Sequence, residues 1–159
     1  ISIVSSGYEY QLRLPTKISI FVDYTFIKLK ELKMSEELGK YSLKFAGNTY
    51  TSNDNGDVTI HQNWEGTADG YGAVFGTLIF GPTPPAGLNE GGNIKWVSQA
   101  FLEDGTTVVG QGEGTWETPA DRHVAKTSLL INVSDGTQIR SEGEMGLENL
   151  EWNGPIDSV

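Results

Sequence analysis

The sequence predicts an all-β protein: an up-and-down antiparallel β-barrel of about eight strands with at most one short helix. Three observations carry this. Apolar and polar residues alternate along most of the chain, the period of a half-buried strand. The alternating runs are separated by Asn55-Gly56, Asp69-Gly70, Asp104-Gly105 and Asp135-Gly136, which are hairpin turn signals. No helical crossover lies between successive runs, so parallel βαβ folds are excluded. A β-sandwich is the second architecture the pattern allows.

The elements follow in order. Residues 8–14 alternate, with Tyr8, Tyr10, Leu12 and Leu14 on one face, until Pro15-Thr16 interrupts. Residues 17–30 are rich in Ile, Phe, Val and Tyr and read as a long strand. Residues 34–38 (MSEEL) lack β-branched side chains and predict one or two helical turns, capped by Ser35 and closed by Gly39. Residues 41–50 read as a strand with a turn near Gly47-Asn48, and Asn53-Asp54-Asn55-Gly56 as a firm turn. Strands are expected at 58–67, 71–80, 93–102, 106–117, 123–133 and 137–147. Residues 81–92, with three Pro and four Gly, are expected to be neither strand nor helix. Residues 148–159 read as an acidic tail. The whole chain, 1–159, is expected to be a single barrel domain.

Facing follows from the alternation. Residues 104–117 and 135–148 share a hairpin turn and the strand after it, as two hairpins with similar needs. In the second copy Ile139, Ser141, Gly143 and Met145 share one face, and Arg140, Glu142 and Glu144 the other, which must be outside. By the same register Val108, Gly110, Gly112, Gly114 and Trp116 point inward. The inward glycines either leave open space or let strands bend sharply where a barrel closes.

Composition narrows function. The chain has 11 Lys and Arg against 21 Asp and Glu, net −10, which disfavours phosphate backbones and anionic lipid. No apolar run approaches the ~18 residues of a membrane helix. There is no Cys, which excludes disulfides, thiolate catalysis and Cys-ligated zinc. Residues 1–7 carry no basic stretch and are not expected to form a secretory signal. A cytoplasmic location is expected. Asn132-Val133-Ser134 matches a glycosylation sequon of a length that arises by chance. The run 53–57 superficially suggests a calcium loop but lacks the Glu at the twelfth position. Two distant histidines cannot hold zinc, so no metal and no cofactor are expected.

The inward sets include Tyr24, Ile60, Gln62, Trp64, Ile94, Trp96, Ser98, Ala125 and Thr127. Such a lining is mostly apolar with a few hydrogen-bonding groups, and it suits a small hydrophobic molecule. An ordinary filled core would use the same residues. His61 shares its face with Thr59, Asn63 and Glu65 and is expected on the surface. An inverted strand would instead pair His61 and Glu65 inside. His123 opens its strand two residues before Ala125, so it is expected to point inward at the rim beside Asp121, where an imidazole could serve as general acid or base.

Gly70-Tyr71-Gly72-Ala73-Val74-Phe75-Gly76-Thr77-Leu78, Gly110-Gln111-Gly112-Glu113-Gly114-Thr115 and the meander of Asp-Gly hairpins resemble the calycin-like barrels of the allene oxide cyclase and dirigent type, across residues 8–147. The size and the run Leu12-Arg13-Leu14-Pro15-Thr16-Lys17-Ile18 are similar to spirotetronate cyclases. The resemblance implies a cavity and a cyclase or isomerase role, and no motif in it carries a catalytic residue over.

Two functions follow. In the first, a cofactor-free cyclase or isomerase shapes an apolar, polyketide- or terpenoid-like substrate inside the barrel. Tyr8, Tyr10, Trp64, Trp96 and Trp116 would form walls, Ser98 would bind substrate, and His123, Tyr24 and Gln62 would take the catalytic roles. In the second, the barrel only binds or carries a small hydrophobic molecule. Nucleic acid and membrane are not expected partners, and self-association is left open.

Overall fold

Eight antiparallel strands close on themselves in simple sequence order, each paired with its chain neighbour and the last with the first. The computed structural model describes residues 35–88, 90–119 and 123–159. The strands are β1 Glu37–Ser52, β2 Val58–Ala68, β3 Gly72–Thr83, β4 Gly91–Phe101, β5 Thr107–Glu117, β6 Val124–Val133, β7 Gln138–Gly146 and β8 Glu151–Ser158. The chain divides after Glu36, and the barrel is the second unit. The barrel therefore closes with strands from residues 37–158 alone. The strands expected at 8–14 and 17–30 lie outside the described residues.

Closure relocates two expected features. Residues 148–159 are not a tail: β8 pairs with β1 from Glu37↔Asp157 to Lys44↔Glu151 and seals the barrel. Its Gly154 and Pro155 read as strand breakers in isolation. They fall where the β7–β8 ladder is interrupted, between Arg140↔Asp157 and Glu144↔Asn153, so the missing Pro155 N–H costs no ladder bond to β7. The helical turn expected at 34–38 is absent from its described part, because Glu37 and Leu38 open β1. Pairing with β8 overrides their modest helix preference.

Irregularities sit inside strands rather than between them. The turn expected near Gly47-Asn48 is a β-bulge: the register to β2 shifts between Phe45↔Trp64 and Gly47↔Asn63, and Gly47 takes φ 130°. Residues 81–92 are only partly a loop. β3 runs on to Thr83 past a register shift opposite Val58–Ile60, Pro85–Gly87 forms one 3₁₀ turn, and Gly91 already pairs with Glu117. The bulge absorbs Pro82, which cannot donate to a ladder.

Where strands were expected, the interior follows the predicted alternation: Ile94, Trp96, Leu129, Ile131 and Ile139 are buried core. Val74 and Leu78 of β3 and Trp152 and Ile156 of β8 complete it. Arg140, Glu142 and Glu144 face solvent and Ile139, Ser141, Gly143 and Met145 face inward, as the two-residue period demands. Of the two expectations for the inward glycines, close approach holds for β5. A Cβ at Gly114 would collide with the Ser128 carbonyl oxygen of β6, so glycine lets these strands coil tightly where the sheet curves.

The repeated Asp-Gly hairpins share one device. Asp104 Oδ1 accepts from the Thr106 backbone N–H at 2.9 Å and its hydroxyl at 2.6 Å, and Asp135 does the same for Thr137 at 2.9 and 2.7 Å. The short carboxylate stands in for a backbone acceptor and fixes each turn.

Candidate functional site

The connections alternate between the two ends of the meander. Among the described residues, 53–57, 84–88, 118–119 and 147–150 lie at one end, here the loop end, and 69–71, 102–106 and 134–137 at the other. The long connection 84–90 and the one before His123 thus share a mouth, as their spacing predicts.

Three tryptophans from three strands meet between the ends. Trp152 of β8 packs edge-on against Trp64 of β2 at 5.5 Å and Trp96 of β4 at 5.1 Å between ring centroids. Tyr41 joins Trp152 at 5.5 Å, and Phe45 joins Trp64 at 5.8 Å. Edge-to-face rings at these distances fill space densely and add attraction beyond their burial. This layer turns the lumen into two compartments.

The compartment away from the loop end is small, about 80 Å³, although all eight strands contribute to its wall. Its lining is aliphatic apart from Trp96, Trp152, Tyr71 and the hydroxyls of Tyr41, Ser98 and Ser141. The hydroxyls form a chain at its edge. Trp152 Nε1 donates to Thr127 Oγ1 at 3.0 Å, and Ser141 Oγ donates to the Tyr41 phenol at 3.1 Å. Thr127 and Ser141 are both buried, so each needs such a partner. Burial pushes the Tyr41 hydroxyl up to about 12, with the nearby Glu142 carboxylate adding to it. Hydrogen bonds with Ser141 and Thr127 pull the other way. Glycine at 143 makes the arrangement fit: a Cβ there would strike the Tyr41 hydroxyl.

The loop-end compartment is roomier, about 340 Å³. Ile60 and Gln62 of β2, Phe80 of β3, Trp116 of β5 and Ala125 of β6 form its floor and walls, and Gly87 and Leu88 of the long connection lie against it. Phe80 and Trp116 meet edge to face at 5.4 Å. Gln62 Oε1 accepts from Trp64 Nε1 at 3.2 Å, which orients the amide and leaves its NH₂ as a donor. Thr118 holds the connection in place, its N–H and hydroxyl both donating to the Glu90 carbonyl at 3.3 and 3.4 Å. Ligand pockets run from roughly 300 to 1,000 Å³. The loop-end compartment reaches that range and the inner one does not.

The residues expected to form one site are therefore divided. Gln62 and Trp116 line the loop-end pocket, Trp96 and Ser98 line the inner cavity, and Trp64 is buried in the layer between. Tyr8, Tyr10, Tyr24 and Asp121 lie outside the described residues. His123 departs from expectation: its side chain is 65% exposed and Nδ1 meets the Glu148 carboxylate of the 147–150 connection, outside the pocket wall. The bend at 123 precedes β6, so the inward alternation that begins with Ala125 does not extend back to it. His61 lies on the outward face between Ile60 and Gln62, which settles against the inverted His61–Glu65 pair. Sequence reasoning missed Tyr41, Thr127 and Ser141 as a connected group. The alternation places all three inward, but their convergence depends on closure by β8.

Comparison with protein-family models, curated proteins and solved structures finds no match, so fold and cavity geometry carry the functional reading alone.

Proposed function

We propose that this barrel binds a small, mostly apolar molecule in its loop-end pocket, beneath the 84–90 connection. The carrying observation is the pocket itself: a volume of about 340 Å³ with apolar walls from Ile60, Phe80, Trp116 and Leu88, polar groups from Thr83 and Thr118, and the Gln62 amide as an oriented donor. Apolar walls supply affinity by removing surface from water, and a single amide selects a ligand with one hydrogen-bond acceptor at the right depth. The polar side chains of this pocket among the described residues are Gln62, Thr83 and Thr118, and none of them titrates near neutral pH. Binding therefore ranks ahead of proton-transfer catalysis.

A cofactor-free cyclase or isomerase is the second reading, favoured by the shape-imposing Phe80–Trp116 corner and by Gln62 as a donor to a developing negative charge.

Titration with uncharged apolar fluorescent probes tests the site. Trp116→Ala and replacement of residues 84–90 by Gly-Asn-Gly should each weaken binding about tenfold or more while the barrel stays folded. Unchanged affinity in both variants overturns the reading. Gln62→Leu separates the two functions: a catalyst loses turnover of its substrate, and a carrier, which turns nothing over, keeps its affinity for ligands without an acceptor.

A further inference from the structure

The two ends of the barrel use their acidic residues differently. At the end opposite the loops, Asp69 accepts from the Lys40 backbone N–H at 2.9 Å, and Asp104 and Asp135 hold the threonines of their own turns. Only Glu103 of those turns is left without such a bond among the described residues. At the loop end the described connections carry Asp54, Asp57, Glu90 and Glu148 and neither Lys nor Arg. The strand ends beside them add Glu117, Glu144 and Glu151 against Lys126, which is the cross-strand neighbour of both Glu117 and Glu144. Glu148 meets His123, and Asp57 accepts from the Asn53 amide at 3.4 Å. Among the described residues, the carboxylates of Asp54, Glu90 and Glu117 make no hydrogen bond or ion pair. They border the pocket mouth: Glu117 lies between Trp116 and Thr118 of the wall, and the Glu90 carbonyl is held by Thr118. The wall itself contains no ionisable side chain.

Resting on the pocket-binding reading above, we infer that the ligand is an apolar molecule bearing a protonated amine, with its apolar body in the pocket and its ammonium at the mouth. Anionic amphiphiles are excluded by the same arrangement. A carboxylate head drawn inside meets no cation on the wall, and burying an unpaired charge is costly. Left at the mouth, it faces carboxylates. An uncharged head avoids both penalties and gains nothing from the rim. An ammonium keeps water on its outer side and is attracted by the rim carboxylates. Such charges act over roughly 8 Å at physiological ionic strength, which takes in a head group held beside Trp116 and Thr118. A mouth of one sign above a low-dielectric pocket also concentrates ligands of the opposite sign. Gln62 adds a second requirement. An ammonium offers only donors, so the acceptor that meets the Gln62 amide belongs to the buried body of the ligand. The pocket supplies the affinity, and the rim sets the sign of the charge that accompanies it.

Calorimetric titration of the full chain at neutral pH and low salt, with n-octylamine, n-octanol and n-octanoate, tests it. The three share a chain and differ in head-group charge. The amine should bind about tenfold or more tighter than the carboxylate, with the alcohol between, and the spread should shrink as salt is raised. Glu90→Gln combined with Glu117→Gln should narrow the gap between amine and alcohol, and Glu103→Gln, at the opposite end of the same acidic chain, should leave that gap as it is. If none of the three binds, or if Trp116→Ala leaves octylamine binding unchanged, the pocket reading fails and this inference with it. Equal affinities, tighter octanoate, a gap that survives the rim variant, or one that Glu103→Gln narrows as much, would overturn the charge assignment alone and leave the pocket standing.

Discussion

The indole N–H of Trp152, on the last strand, donates to the hydroxyl of Thr127, on the sixth, at 3.0 Å inside the closed barrel. The bond joins a residue from the acidic C-terminal stretch to the centre of the core. It places Trp152 where Trp64 and Trp96 pack against it, and so sets the boundary between the two compartments. Trp152→Phe keeps an aromatic ring but leaves Thr127 without its donor and a gap where the indole was. It should destabilise the fold by about 2–4 kcal/mol in denaturant unfolding. A loss under about 0.5 kcal/mol would mean that this pair is not a structural tie.

Tyr41 predicts a response at high pH. Its folded-state value is raised to about 12 from 10.0 by burial. A raised value means the stabilisation is fully present below about pH 10, the unfolded value, and is lost as pH rises through about 12. Ultraviolet titration should therefore show one tyrosine ionising late, coincident with alkaline unfolding, and Tyr41→Phe should remove that component. A Tyr41 that ionises near pH 10 in the folded protein would contradict its buried placement.

The two Asp-Gly turns predict behaviour at low pH. Asp104 and Asp135 are held below the ordinary carboxylate value, mainly by the hydroxyls and then the backbone N–H groups of Thr106 and Thr137. Depressed values mean that their contribution is present above the unfolded carboxylate range and is lost as pH falls through the folded-state values. Melting temperature followed from pH 7 downward should fall less steeply in Asp104→Asn with Asp135→Asn than in the parent. The same slope in both would show that these carboxylates do not hold the turns.

Much of this was legible in the sequence because a two-residue period and Asp-Gly turns are local signals. The barrel, its strand order and the inward set Val108, Ile139, Trp96 and Trp116 all follow from them. The features that were not legible depend on distant partners. Gly154 and Pro155 discourage a strand locally, and only the interrupted β7–β8 ladder makes them acceptable. Pro82 is tolerated because a bulge opposite Val58–Ile60 takes it. His123 was placed by extending an alternation one step beyond the end of its strand. The division of Gln62 and Trp116 from Trp96 and Ser98 arises from the height at which three indoles from separate strands meet, which no local pattern encodes.

The most direct test of ligand binding at the loop end is an amide chemical-shift map of the isotope-labelled protein titrated with an uncharged apolar probe. Binding in the loop-end pocket predicts saturable shifts concentrated at Ile60, Gln62, Phe80, Leu88, Trp116 and Ala125, with the Trp116 indole N–H among the largest. Shifts centred instead on Tyr41, Ser98 and Ser141, or on the outer wall at Phe75 and Val97, would contradict it.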